Sequence, residues 1–204
     1  MFSGGTDSAY ALWYYLTQTR SRVHVHHIDH KLVQSNEWRA EKQAVNVMRP
    51  LFKRYRQFSY SNSGIDMDGL SWSRPTDYVL FTAFQVAKKR MTQTTGSVSL
   101  GLGWTESEDR IQYPEGTTES IYSALHESWR QYIRTAPVKY QGRFNESLMQ
   151  PFYKISKNDM FHTLPSEIRA NLWSCKKPMK KGNIYIPCGK CLKCLDFKER
   201  VNVN

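Results

Sequence analysis

The chain of 204 residues has no cysteine in its first 174 positions and no apolar run that approaches the roughly 20 residues needed to cross a bilayer. Its first 30 residues lack the basic, apolar and small-residue pattern of a signal peptide. Nothing in the sequence indicates the oxidising compartment that disulfides require. We therefore expect a soluble intracellular protein in the cytoplasm, with no membrane partner.

Acidic residues are also scarce, since 18 Asp and Glu face 29 Lys and Arg and leave a formal net charge of +11. Hydrophobic residues make up 40% and aromatic residues 13%, which argues against disorder. The length fits one domain with a sizeable core. The charge predicts an anionic partner, either a nucleotide, a nucleic acid or phosphate, without choosing among them.

All four cysteines lie near the C-terminus, at Cys175, Cys188, Cys191 and Cys194. The last three form Cys-Gly-Lys-Cys-Leu-Lys-Cys, and a redox pair would leave two cysteines idle. Tetrahedral zinc takes four thiolates at about 2.3 Å, and four protein ligands leave no open position for chemistry. The spacing predicts a structural Zn²⁺, with an iron–sulfur cluster as the alternative.

A Gly-rich string precedes an apolar helical pattern at the N-terminus. Gly-Gly before a helix lets phosphate oxygens approach backbone N–H groups, and the helix dipole favours negative charge. The alternative is an ordinary capped helix after a glycine turn. The candidate anion site consists of Ser3, Gly4, Gly5, Thr6, Asp7 and Ser8.

This Ser-Gly-Gly-x-Asp-Ser string, combined with the C-terminal Cys…Cys-Gly-x-Cys-x-x-Cys, resembles the PP-loop (N-type) ATP pyrophosphatases, and among them the 7-cyano-7-deazaguanine synthases. The resemblance implies a parallel-sheet, Rossmann-like α/β fold with a C-terminal zinc knuckle. It implies an ATP-binding domain over residues 1–172 and a zinc segment over 173–204. ATP, Mg²⁺ and Zn²⁺ are the implied cofactors, and relatives are often homodimers.

The resemblance also implies residue roles. Residues 3–8 would hold the pyrophosphate, and Ile28 and Gly103 would contact the nucleotide. Asp7, Ser8 and Lys157 would be catalytic. Acidic residues after a strand end could hold Mg²⁺ beside phosphates. The substrate residues would be Glu106, Asp109 and Tyr113, in a segment that matches the family only loosely.

Local patterns predict the elements between these motifs. We expect strands over residues 23–28 and 98–102, helices over 36–48 and 76–90, and a loop over 62–76. Pro50 should end or kink the first of these helices. Alternation along the first strand places His24 and His26 on one face and His27 on the other, so they cannot converge on one metal. Strands alternating with helices indicate a parallel sheet.

Two departures from the family concern the acceptor and the first strand. Arg74–Asp77 and Glu115–Thr118 differ from the family's usual residues, so the ATP chemistry is better supported than the acceptor. Only Met1 and Phe2 precede the loop, against a typical strand of about five residues. We expect either missing upstream residues or a very short first strand.

Three functions follow from these patterns. The first is ATP-dependent conversion of 7-carboxy-7-deazaguanine and ammonia to the nitrile, by an enzyme that acts as a C–N ligase. The second is a tRNA-modifying PP-loop enzyme of the lysidine synthetase or thiolase type, which the positive charge favours. The third is a non-catalytic zinc-knuckle nucleic-acid binder, with aromatics such as Trp104 and Trp129 stacking on bases.

Overall fold

The computed structural model describes residues 1–31, 35–66, 76–101, 103, 117–145 and 154–202. The chain divides into two compact units, Met1–Ser73 with Lys157–Asn204, and Arg74–Ser156. The predicted boundary between residues 172 and 173 stays a prediction. In chain order the elements are α1 (Thr6–Gln18), β1 (His24–Lys31), α2 (Glu37–Lys53), β2 (Ser59–Asp66), α3 (Thr76–Thr92), α4 (Thr117–Arg134), α5 (Val138–Gln141), α6 (Lys157–Thr163), α7 (Ser166–Arg169), β3 (Met179–Lys181), β4 (Ile184–Ile186) and α8 (Leu192–Asn202).

The first unit is built around a parallel strand pair. β1 and β2 pair in register from His24 opposite Ser59 to Lys31 opposite Asp66. Parallel neighbours need a crossover, and α2 provides it. The prediction of a mixed α/β fold with parallel strands is confirmed at this level. The backbone N–H of Phe2 donates to the carbonyl of His26 at 2.8 Å, so the residues before the loop lie against β1.

α1 follows the apolar pattern of its sequence. Ala9, Leu12 and Leu16 are buried, and Trp13 is half-buried. At the end of the helix Arg56 donates to the carbonyls of Tyr15 and Thr19, and the Thr19 hydroxyl also donates to the Tyr15 carbonyl at 2.8 Å, so backbone acceptors of the last turn are satisfied by side chains.

α2 is longer than the sequence indicates. The expectation that it ends near residue 48 is wrong, because the helix continues through Pro50 to Lys53. Proline removes one helical hydrogen bond and crowds the preceding turn. Phe52 offsets this cost, since its side chain is fully buried and meets Phe2 edge-to-face with ring centroids 5.7 Å apart. Tertiary burial has overridden the local signal.

β2 corrects the predicted loop over residues 62–76, because residues 62–66 belong to a strand. Its serines hydrogen-bond the histidines of β1. His24 Nδ1 and Nε2 lie 2.7 and 2.8 Å from the hydroxyls of Ser59 and Ser61, and His26 Nδ1 and Nε2 lie 2.7 and 3.0 Å from those of Ser61 and Ser63. We call these five side chains the histidine–serine row. The predicted alternation of the histidines is confirmed.

The second unit has an aromatic core. Trp129 is completely buried, and its indole N–H donates to the carbonyl of Asn145 at 2.9 Å. Its ring lies 5.2 Å from that of Phe84 and 5.7 Å from that of Phe144. Trp129 therefore packs the core and cannot stack on bases, whereas Trp104 lies outside the described residues.

The helix and the strand that the sequence predicts in this unit have different outcomes. The helix predicted over 76–90 is confirmed as α3, which ends two residues later. Of the strand predicted over 98–102, Val98 forms an isolated parallel bridge with Phe144 and Gly101 is also a bridge residue, whereas Leu102 lies outside the described residues. None of the helices within the described ranges is both long and apolar enough to cross a bilayer.

The cysteine-bearing end of the first unit is a short hairpin followed by a helix. β3 and β4 pair antiparallel, with Gly182 at φ +60° in the turn. The side-chain amide of Gln43 in α2 bonds both backbone groups of Tyr185, accepting at 2.9 Å and donating at 3.1 Å. The hairpin is thereby fixed to α2.

Gly4 and Gly5 offer a matched pair of substitutions. Gly4 has φ +85°, and an added Cβ would lie 3.1 Å from the Cε of Met48. Gly5 has φ −78°, and its added Cβ would lie 3.5 Å from the Trp173 carbonyl. We expect Gly4→Ala to lower the free energy of unfolding by about 1–3 kcal/mol and Gly5→Ala to change it by less than about 0.5 kcal/mol. Urea unfolding measures both, and equal losses would contradict the left-handed strain at Gly4.

Candidate phosphate-binding loop and cysteine metal centre

The hydroxyl of Ser8 organises the loop at residues 3–8. It donates to the carbonyl of Gly5 at 3.1 Å and lies 3.1 Å from the Ser3 hydroxyl. It also accepts the backbone N–H of Ser3 at 3.2 Å. The first helical hydrogen bond of α1 runs from Ala9 N–H to Gly5 O at 2.9 Å. The loop therefore leads directly into a helix N-terminus, the end whose dipole favours anions.

Lys157 lies at this same helix end. Its ammonium is 3.1 Å from the Oδ2 of Asp7, with only 12% and 14% of the two side chains exposed. Burial raises the pKa of the Asp7 carboxyl while the Lys157 charge opposes that rise. Burial likewise lowers the pKa of Lys157, opposed by Asp7. Within the part of the chain that the structure describes, the Asp7 Oδ1 is buried without a hydrogen-bond partner.

The chemical capacity of this corner follows from its charges. N–H groups in the first turn of a helix have no acceptor in their own helix, and Lys157 adds a mobile positive charge beside them. Both favour a phosphate. The unpartnered oxygen of Asp7 is an acceptor, suited to a hydrated cation that accompanies such a phosphate.

A second buried network was missed by sequence reasoning. Asp29 in β1 is 3% exposed, accepts from the Lys42 ammonium at 2.7 Å and lies 3.1 Å from the Nε2 of His27. The Nδ1 of His27 is 2.8 Å from the Phe2 carbonyl, which only an Nδ1–H can satisfy. Burial lowers the pKa of His27, opposed by the Phe2 hydrogen bond and the Asp29 charge, and among the described residues neither its Nε2 nor the Asp29 Oδ1 has a hydrogen-bond partner. The signal was the i, i+2 spacing of His27 and Asp29, which places both on one strand face.

The other predicted nucleotide and substrate residues are placed as follows. Ile28 is buried in β1, next to Asp29 near the carboxyl end of the strand. Gly103 belongs to the second compact unit. Glu106, Asp109 and Tyr113 lie outside the described residues. The described residues thus bring together Ser3, Gly4, Gly5, Thr6, Asp7, Ser8 and Lys157.

The four cysteines converge at one point. Their Sγ atoms all lie within 4.8 Å of one another, and those of Cys188 and Cys194 are 3.9 Å apart. Metal–sulfur bonds of 2.3 Å in a tetrahedron place sulfurs about 3.8 Å apart. Backbone N–H groups of Cys188 and Cys191 point at the Sγ of Cys175 and Cys188, at 3.3 and 3.4 Å. This cluster fits a metal ion, as the spacing predicts.

The thiols experience unequal environments. Burial acts to raise the pKa of Cys191, but hydrogen bonds from the backbone of Lys176 and Cys194 outweigh it and lower the pKa to about 6. Burial raises the pKa of Cys194 to about 12. Four thiolates at such close quarters therefore need a cation, since metal ligands must be deprotonated and their repulsion neutralised.

Trp173 connects the loop and the cysteine cluster. Its backbone N–H donates to the carbonyl of Gly4 at 2.9 Å. Its indole N–H donates to the carbonyl of Cys175 at 3.1 Å. Trp173 is 8% exposed and Cys175 is 1% exposed, so neither bond competes with bulk water. The conformation of Gly4 is thus coupled to the position of the first cysteine.

No family model matches the chain, and neither the curated proteins nor the solved structures include a significant match to it. The function proposed below is therefore carried by the motifs and by the contacts described above.

Proposed function

We propose that the protein is an ATP pyrophosphatase of the PP-loop type, with a Rossmann-like nucleotide-binding fold. The observation that carries this proposal is the Lys157–Asp7 contact at the N-terminus of α1. Lys157 is 150 positions away in the sequence, and it lies at the helix end where the Ser-Gly-Gly-x-Asp-Ser string predicts a pyrophosphate.

The residues would divide the work of binding ATP. The glycines and the first turn of α1 hold the β and γ phosphates, and Lys157 stabilises the charge that develops when the bond between the α and β phosphates breaks. Asp7 positions Lys157 and provides an oxygen toward Mg²⁺. The carboxyl end of β1, at Ile28 and Asp29, faces the nucleoside, where ligands of open α/β sheets bind.

The acceptor we propose is 7-carboxy-7-deazaguanine, as the resemblance implies. Its carboxylate attacks the α phosphate of ATP and pyrophosphate leaves, giving an acyl adenylate. Ammonia then displaces AMP and a proton is released, giving the amide. The amide oxygen then attacks the α phosphate of a second ATP, releasing pyrophosphate and a proton, and loss of AMP and a further proton leaves the nitrile. No nucleophilic side chain is needed, because the enzyme works by holding the reactants in place.

For the cysteine cluster we propose structural Zn²⁺, held by Cys175, Cys188, Cys191 and Cys194. Four cysteine ligands complete a tetrahedron and leave no position for a substrate. The homodimer implied by the resemblance stays a prediction.

Product analysis tests the proposal. The purified protein is incubated with ATP, Mg²⁺, 7-carboxy-7-deazaguanine and ammonia. The nucleotides and deazapurines are then separated, identified and quantified by mass spectrometry. We expect AMP and pyrophosphate, with two AMP formed per nitrile. Formation of ADP, or AMP formation that is indifferent to the acceptor, would contradict the proposed reaction.

A further inference from the structure

The cysteine-bearing end of the chain has an uneven charge distribution. No Asp or Glu occurs between Trp173 and Leu195, a stretch that contains six lysines. The two acids that follow are Asp196, which pairs with Arg200, and Glu199. Half of the formal excess charge of the chain therefore comes from its last 32 residues.

Four of these lysines are exposed, and their ammonium groups have no ion pair or hydrogen bond to any residue that the structure describes. They are Lys177, Lys180, Lys181 and Lys190. Lys176 differs, because it pairs with Glu37, and Lys198 donates to the carbonyl of Gly189 at 3.3 Å. The four, which we call the lysine face, lie at the cysteine-bearing end of the first unit, with Lys180 and Lys181 on opposite sides of β3, and no described residue pairs with their ammonium groups.

The scaffold beneath the lysine face is rigid. Lys177 lies two residues after Cys175, and Lys190 lies immediately before Cys191. Both lysines are therefore attached to the backbone close to the converging sulfur atoms. Lys180 and Lys181 belong to β3, whose partner strand is fixed to α2 through Gln43. Because these hydrogen bonds fix the backbone, only the lysine side chains lose conformational entropy when an extended ligand binds.

Exposed apolar side chains lie among these charges. Met179 and Ile184 are 47% and 53% exposed and share one face of the hairpin with Lys181. Leu192, beside the last cysteines, is 84% exposed. Lysine ammonium groups beside aliphatic surface suit a ligand that carries repeated negative charges along a framework of sugars and bases, because the base faces can pack on aliphatic side chains.

We propose that the lysine face binds the phosphate backbone of a nucleic acid. Lysines are compact point charges, so they contact phosphates without distinguishing base sequence. A two-stranded ribbon of this kind fits a nucleic-acid groove. A four-thiolate Zn²⁺ site carries a formal charge of −2, which offsets half of the four lysine charges and leaves the lysine face positive. This inference is independent of the ATP reaction.

The test compares two double variants that change the net charge equally. Lys180→Gln with Lys181→Gln removes part of the lysine face, and Lys88→Gln with Lys89→Gln removes an adjacent pair from α3. Binding of the metal-loaded protein to a labelled RNA hairpin and to a DNA duplex is measured by anisotropy from 50 to 200 mM salt. Metal content and melting temperature confirm that both variants are folded.

We expect the wild-type protein to bind with an affinity that falls steeply with salt. The Lys180/Lys181 variant should bind at least about fivefold more weakly, and its log–log salt slope should be shallower by about 2. The Lys88/Lys89 variant should keep the wild-type slope. Equal loss in both variants, no binding at 50 mM salt, or tighter binding to polyglutamate or to phosphatidylglycerol vesicles would each overturn the proposal.

Discussion

Replacing Cys175 by serine is expected to remove the bound metal and to lower the free energy of unfolding by about 4 kcal/mol or more, since the loss of a structural metal is among the largest single-site effects. Cys175 is 1% exposed, and its Sγ accepts the backbone N–H of Cys188. Removing this sulfur therefore disturbs both its own position and the segment that carries the other three cysteines. Metal content by mass spectrometry and urea unfolding measure the two effects.

The same substitution should weaken nucleotide binding, because Trp173 links Cys175 to the carbonyl of Gly4. We expect the Kd for a non-hydrolysable ATP analogue to rise about tenfold or more. Ser174→Ala is the matched control, since its hydroxyl has only a long 3.4 Å bond to the Lys193 carbonyl and is not a ligand. A Cys175→Ser protein with wild-type stability and a full metal complement would show that Cys175 is not a metal ligand.

Replacing Lys157 by methionine is expected to lower ATP turnover by about 100- to 1,000-fold, the usual cost of losing a preorganised group that stabilises developing charge. It also leaves Asp7 buried without its ammonium partner. We therefore expect the free energy of unfolding to fall by about 2–4 kcal/mol. A discontinuous assay of AMP formation measures the loss of turnover, and urea unfolding measures the change in the free energy of unfolding.

A double substitution separates the role of Lys157 in phosphate chemistry from its role as the ion-pair partner of Asp7. Asp7→Asn with Lys157→Met removes both charges, so stability should return to within about 1 kcal/mol of wild type while turnover stays low. Lys154→Met, an exposed lysine three residues upstream, serves as the charge-matched control and should change neither quantity. Recovery of turnover in the double variant would mean that Lys157 acts only through its contact with Asp7 and does not meet phosphate.

Some features could be predicted from sequence because their causes are local. Gly-Gly before an apolar period of 3.6 marks the loop and α1, and the close spacing of Cys188, Cys191 and Cys194 determines their convergence. The parallel pairing of β1 was predictable because strands alternate with helices along the chain.

Other features depend on contacts between distant residues, which no local pattern carries. Pro50 predicts that α2 ends or kinks near residue 50. The burial of the Phe52 ring explains why the helix continues. The serines of β2 are typical of a loop, and they lie in a strand in which their hydroxyls form hydrogen bonds with the imidazoles of His24 and His26. Both Lys157 and Asp7 were chosen as functional residues, but their direct contact was not predicted.

The histidine–serine row has a further consequence through the single proton of Ser61. When Ser61 gives that proton to one neutral imidazole, it can only accept from the other, because its oxygen lies 2.8 Å from His24 Nε2 and 2.7 Å from His26 Nδ1. Both rings must then be the same tautomer, protonated either at Nε2 or at Nδ1. The row therefore has a polarity along the strands, and the two histidines would exchange tautomers together as one unit.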